Sequence, residues 1–439
     1  MAEGGNGVAE AGAGSAFLSR DFRLYQTARL LVILGAEAQS VAVAWQVYQI
    51  THSALDLGLT GLALFAPGLL FMLAAGHVAD RYDRRRIILT CYAVQAVCTV
   101  ALLRFALHPT GKVWPIYAVL LGIGLGRAFS APASAALLPS LVPTKHFVNA
   151  VTWGSIVFQI ANIAGPAVGG LLFTLPLTGR LAPWHGAASV YAFTLGTLLA
   201  FLALVGAMRT RPMRATKNAF NLETMLAGLR YVWQAKLLLG SISLDLFAVL
   251  LGGAATLLPI YATDILHQGP GALGLLRAMP AVGALAVSLA MTVRPIKRDA
   301  GKLMLFCVGI FGAATIVFGA SRTMWISLLA LVLVGASDMV SVVIRASILQ
   351  LATPPEMRGR VSAVNWLFVG ASNEFGGFES GLTAHWWGTV RAVVIGGIGS
   401  LVVTGLAGVL FPALRKADAL STESLMGSNM QQSIAEPVD

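Results

Sequence analysis

Charge is scarce in this chain. Asp, Glu, Lys and Arg together make up 11% of its 439 residues, against about 25% in a soluble globular chain. Hydrophobic residues reach 57%, so a soluble multidomain protein is excluded and a polytopic membrane protein is expected. Cysteine is scarcer still. Cys91, Cys98 and Cys307 all fall inside apolar stretches, which suits small buried hydrophobes and excludes a disulfide framework or a zinc site. The seven histidines cluster near segment ends, and no pair has metal-ligand spacing, so neither a metal nor any other cofactor is expected. A phosphate-cradling G-x-x-x-x-G-K-[ST] is missing, as is any Ser-His-Asp or paired-carboxylate set on a soluble segment. An ATP-driven pump and an enzyme are therefore not expected. The opening residues lack the basic start and apolar core of a cleavable leader, so the first apolar run is expected to direct its own insertion.

What is present is a series of long apolar runs. About 20 apolar residues cross a bilayer, and twelve such spans are read at roughly 24–50, 57–79, 87–107, 114–140, 148–174, 187–208, 237–262, 271–293, 303–320, 324–351, 361–383 and 392–411. The expected fold is an all-α membrane protein of two six-helix bundles, residues 21–208 and 237–415. A cytoplasmic linker, 209–236, joins them, and disordered tails, 1–20 and 416–439, flank them. The two halves show a weak internal likeness. LVPTKHFVNAVTWGSIVFQIANIAGPAVGG around the fourth and fifth spans parallels LATPPEMRGRVSAVNWLFVGASNEFGGFESG around the tenth and eleventh. Each has a proline-bearing break, a basic turn and a glycine-rich close, the pattern of an internal transporter repeat.

Lysine and arginine set the orientation. With an inside N-terminus, 21 of the 30 basic residues fall in cytoplasmic segments and five (Arg104, Lys112, Arg180, Arg322 and Arg391) on the other side. The positive-inside rule then places both termini in the cytoplasm, with the protein in the cytoplasmic (inner) membrane. The formal charge of +11 is thus a topology signal. Because the basic residues are scattered over many short loops, nucleic-acid binding is not expected.

Five charged side chains lie near mid-depth: Glu37 in the first span, Arg127 in the fourth, Asp245 in the seventh, and Asp338 and Arg345 in the tenth. Glu374 and Glu379 in the eleventh and Arg277 in the eighth are further exceptions to an apolar interior. Each such charge costs about 2.5–3.5 kcal/mol even on insertion scales, and persists where it faces water or a partner. Glu37, Arg127, Asp245, Asp338 and Arg345, with Glu374, mark a substrate or ion path. Glu37 and Arg127 form either a proton-coupling pair or a static buried ion pair. Asp338 and Arg345, two turns apart on one helix face, fit two separate cavity contacts better than a direct one. Most tryptophans read as interfacial anchors, while Trp45 and Trp366 are candidates to stack on a bulky ligand.

Between the second and third spans stands GHVADRYDRRR, Gly76 to Arg86. It resembles the cytoplasmic signature of the major facilitator superfamily. The resemblance implies that Gly76, Asp80, Arg81, Arg84 and Arg85 work a cytoplasmic gate, with Asp80 holding the eleventh span. Asp83 stands where that pattern more often has glycine. The fifth span closes with GPAVGG; Gly165, Pro166, Gly169 and Gly170 are similar to the antiporter signature of the same superfamily, associated with exporters, though small-residue packing alone also accounts for them. FRLYQTAR, THS at Thr51 to Ser53, and the PExxGR turn at Pro355 to Arg360 look like the enterobactin-exporter branch. The resemblance implies a central cavity lined by the first, fourth, seventh and tenth spans, and a monomeric secondary transporter that exports a small organic compound, siderophore-like or drug-like, driven by protons. An importer or facilitator of a polar solute on the same fold is the alternative.

Overall fold

The computed structural model describes residues 15–108, 111–143, 146–175, 185–209, 222–294, 296 and 298–417. Most of both expected tails and residues 210–221 of the expected linker lie outside the described residues. Everything described is helix or short connection, and no strand occurs among these residues.

The first half holds α1 (Arg20–Thr51), α2 (Ala54–Arg81), α3 (Arg84–Leu107), α4 (Trp114–Leu137), α5 (Phe147–Thr174) and α6 (His185–Gly206). Polar residues at the breaks set the starts. The Ser19 side chain accepts from the Phe22 N–H, Ser53 from Asp56 and Asp83 from Arg85, each satisfying an orphan donor of the first turn. After an amphipathic connector helix, α7 (Leu222–Gln234), the second half holds α8 (Lys236–Leu251), the single-turn α9 (Leu258–Ile260), α10 (Pro270–Val293), α11 (Ala300–Ala320), α12 (Met324–Leu351), α13 (Pro355–Trp387) and α14 (Thr389–Leu410), closed by the short α15 (Pro412–Lys416). Gly388, at φ +86°, turns α13 into α14, a backbone region that favours glycine.

Two spans differ from the sequence reading. The seventh is not one helix: α8 ends at Leu251, Gly252 and Gly253 break it, and a 3-10 turn (Ala254–Leu257), α9 and a π segment (Tyr261–Ile265) carry the chain on. A Cβ on Gly253 would come within 3.0 Å of the Gly376 backbone, so glycine there admits α13 closely. Irregular backbone at membrane depth is tolerated where it is packed in protein or lines a cavity. The eleventh span, α13, is 33 residues long, yet eleven other segments are the ones long and apolar enough by composition to cross a bilayer. Asn365, Asn373, Glu374 and Glu379 make α13 too polar to read as a lipid-facing helix. It is the twelfth long segment by its place in the bundle.

The connections at the ends of α2, α4 and α6 and the starts of α11 and α13 all lie at one end of the bundle, here termed the basic end after Arg84, Arg85, Arg298 and Arg358. The close approaches between the halves lie toward the other end. On one side α5 meets α10: a Cβ on Gly170 would stand 2.9 Å from Pro270 O and 3.0 Å from Gly274 Cα. On the other α2 meets α13: a Cβ on Gly381 would stand 2.6 Å from Ala54 O and 3.1 Å from Gly58 Cα. Small residues at both seams allow backbones to touch, as membrane helices require when no hydrophobic drive pulls them together. Between the seams the Tyr48 hydroxyl of α1 donates to the Asp264 carboxylate of the π segment.

Candidate functional site

A cavity of about 310 Å³ lies between the halves. Glu37 of α1 and Arg127 of α4 enter it from the first half; Arg277 of α10, with Asn373 and Glu374 of α13, enter it from the second. Arg127 is exposed to this space, whereas Glu37, Arg277 and Glu374 are half-buried. Among the described residues none of these four charged groups forms an ion pair with another. Glu37 and Arg127 therefore share a cavity without the direct pairing that a static buried ion pair requires.

The local sequence explains how the groups are seated. The stem of Glu37 packs on Gly165 of α5, where a Cβ would stand 2.5 Å from Glu37 Cβ. The Glu374 carboxylate lies over Gly61 of α2, where a Cβ would stand 2.6 Å from Oε2. A carboxylate carried by the second half is thus seated against a helix of the first. Glu37 and Arg127 also line an adjoining space of about 220 Å³ inside the first half, with Gln39, Gln95 and Thr99. There the Thr99 hydroxyl stands 3.1 Å from Gln39 Oε1, and Gln95 Nε2 is buried without a partner.

The second half has its own cavity of about 200 Å³, lined by Asp245, Asp338, Arg345 and Asn373. Asp245 of α8 and Arg345 of α12 are joined as an ion pair, each side chain only 6% exposed. The sequence set Asp338 beside Arg345 on one helix and left Asp245 apart; the partner of Arg345 is Asp245, 100 residues away. The absence of contact between Asp338 and Arg345 agrees with the two-turn spacing. Asn373 and Ala255 line both this cavity and the central one, so the broken seventh span forms part of the wall between them.

The gate and antiporter motifs have defined places. Gly76 and Arg81 lie in the last turns of α2, as does the backbone of Asp80, whose side chain is outside the description. Arg84 donates to Ala136 O at the end of α4 at 2.9 Å, and Arg85 Nε to Val205 O at the end of α6 at 3.0 Å. Both arginines hold helix C-termini of their own half, where cations suit the exposed carbonyls. α5 runs unbroken through Pro166. Gly169 packs on Ala38 of α1, and Gly170 and the Pro166 carbonyl face Gly274 of α10. The GPAVGG run therefore supplies packing surface on two sides at once. Trp45 is buried edge-on against Phe173 and Trp366 is 75% exposed; neither lines the cavities described above, so the expectation that they stack on cargo is not supported by their positions.

Sequence reasoning missed three features: the cavity role of Arg277, the polar lining of Gln39, Gln95 and Thr99, and the Tyr48–Asp264 bond. Arg277 carried a signal, an arginine inside an apolar run. The others did not: Gln39, Gln95 and Thr99 are uncharged residues at mid-span, and Tyr48 and Asp264 stand at span ends, where polar residues are common.

Two repeated six-helix halves, a broken seventh span and charged groups converging between the halves define a multi-pass membrane transporter of the major facilitator fold. Within that class the chain belongs to the family described as transmembrane secretion effector, which residues 11–439 match. Among curated relatives, the enterobactin exporter EntS of Citrobacter koseri is 28% identical over 411 residues, covering 90% of this chain and 92% of the relative. The enterobactin exporter EntS of Escherichia coli O1:K1 is 29% identical over 392 residues, covering 87% and 86%. Solved structures share the fold at lower identity. A bacterial homologue of the iron transporter ferroportin in its inward-facing state is 14% identical with a TM-score of 0.67, covering 90% of this chain and 99% of that one. A D-xylose–proton symporter is 14% identical with a TM-score of 0.65, covering 88% and 97%.

Proposed function

We propose that this protein exports a small organic compound, siderophore-like or drug-like, across the cytoplasmic membrane by alternating access, driven by inward proton flow. The observation that carries this reading is the central cavity. Four charged groups from both halves converge there without pairing among themselves, an arrangement whose cost is met by water or by cargo. The curated relatives named as enterobactin exporters support the direction and the cargo class. On this reading both termini and the basic end face the cytoplasm, the seams at the far end close the outer side, and cargo enters from within. The two halves rock about the cavity to release it outside. Arg127 and Arg277 bind the oxygen-rich parts of the cargo, and Glu37 and Glu374 its donors. Asp80, Arg81, Arg84 and Arg85, with Gly76 for close packing, work the inner gate when it closes.

Everted membrane vesicles provide the test, with enterobactin as trial cargo. An imposed proton gradient, acid inside, is expected to drive enterobactin into the vesicles, and Arg277→Gln and Glu37→Gln to abolish this uptake. Accumulation in intact overproducing cells, with none in everted vesicles, would reverse the direction and refute export.

A further inference from the structure

The cavity of the second half contains an imbalance that the central cavity does not explain. Asp245 and Arg345 neutralise one another and are almost wholly buried. Asp338 lines the same cavity and, among the described residues, its carboxylate makes no hydrogen bond or ion pair. The cavity therefore holds two carboxylates and one guanidinium, one negative charge in excess. The other elements around it do not supply a balancing cation. α10 contributes Pro280, α11 contributes Phe311, Thr315 and Phe318, and α13 contributes the neutral Asn373. Arg277 and Glu374, the nearest charged groups on α10 and α13, line the neighbouring central cavity instead.

A second feature lies on the same face of α12. Ser341 stands one turn from Asp338 and one turn from Arg345, at i+3 and i−4, positions that share a face. It is 1% exposed, and its hydroxyl oxygen is buried without a partner. A buried hydroxyl left unsatisfied costs about 1–3 kcal/mol; the cavity lining on this part of α12 is Asp338, Val342 and Arg345, with Ser341 packed beside them.

We propose that this cavity is a monovalent-cation site separate from the cargo cavity, and that Asp338 is the group that takes the coupling ion, a proton or sodium. Binding neutralises the excess charge; for a proton, the carboxylate becomes a carboxylic acid, with Ser341 the adjacent hydroxyl able to accept from it. The Asp245–Arg345 pair fixes the opposite wall and stays ionised throughout. Communication with the cargo runs through the shared wall, the Gly252–Leu257 break and Asn373. A cation that tightens this segment changes the lining of both cavities at once. This rests on the reading of the protein as a gradient-driven exporter, and it moves the coupling ion away from Glu37 and the cargo.

The experiment reads the cation alone. Infrared difference spectra of the purified protein across a pH titration are expected to show a carboxylic-acid C=O band that Asp338→Asn loses, that Asp338→Glu restores at a shifted position, and that Glu37→Gln and Glu374→Gln retain. If sodium is the ion, the protein instead gains thermal stability in sodium chloride over choline chloride at equal ionic strength, and Asp338→Asn abolishes that gain. A wild-type band that persists in Asp338→Asn, with no sodium-dependent shift, overturns the proposal. In everted vesicles Asp338→Asn is expected to lose gradient-driven enterobactin uptake while keeping downhill exchange; loss of both together with an unchanged infrared band also overturns it. The spectra decide the cation site whether or not enterobactin is the cargo.

Discussion

The buried pair between Asp245 and Arg345 makes a quantitative test of how this fold holds charge. Both side chains are 6% exposed and belong to different helices, α8 and α12. Removing one partner of such a pair leaves an uncompensated charge and costs about 3–5 kcal/mol, whereas replacing both by apolar groups of similar volume is often neutral. Asp245→Leu is expected to fall in that range, because a guanidinium cannot shed its charge. Arg345→Met is expected to cost less, because a solitary carboxylate can accept a proton and become neutral. The double variant Asp245→Leu/Arg345→Met is expected to recover most of the loss, giving a coupling energy of about 3 kcal/mol or more between neighbours that share one interaction. Reversible unfolding in mixed micelles, followed by circular dichroism, measures all four corners of the cycle. Single-variant effects that are each under about 1 kcal/mol and simply additive would refute the pairing, since surface-like pairs behave that way.

Other outcomes follow from the seams and caps. Tyr48→Phe removes a hydrogen bond to a carboxylate at the end opposite the basic end, about 1.5–3 kcal/mol for a charged acceptor. It is expected to raise thiol labelling of cysteines introduced near Asp56 in a cysteine-free background. Gly274→Val drives a branched side chain against Gly170 and the Pro166 carbonyl; it is expected to shift the carrier toward the outward-open state, read by the same labelling. Arg85→Gln removes the donor to Val205 O at the end of α6 and is expected to lower stability by about 1.5–3 kcal/mol, the scale of a charge-assisted bond, without changing cargo binding measured by thermal shift.

Much of the architecture was legible before any coordinates. The polar breaks near Ser53 and Asp83 place helix starts within a few residues, because caps act locally, whereas the PExxGR stretch read as a turn forms the first turns of α13, which starts at Pro355, since proline is tolerated at the first helical position. The seventh span was the exception. Gly252 and Gly253 sit in an apolar run that hydropathy reads as continuous, and only the approach of α13 and α14 explains why two glycines break it there. α13 was read as an ordinary span although its polarity already separated it from the rest.

The charged positions were legible as unusual, because an ionisable group in an apolar run is visible in one dimension. Their partners were not. Arg345 was compared with Asp338 on its own helix, while the structure joins it to Asp245. Glu37 and Arg127 were brought into one cavity but not into contact, and Glu374 was seated over Gly61 of the other half. Sequence alone determined that this chain crosses a membrane, where most of its spans lie, and which residues bear charge in apolar runs; each is a local balance of hydropathy and backbone satisfaction. Tertiary structure decided which charges meet, which stand alone and where the halves touch, because Coulombic and packing energies depend on distances between segments a hundred residues or more apart.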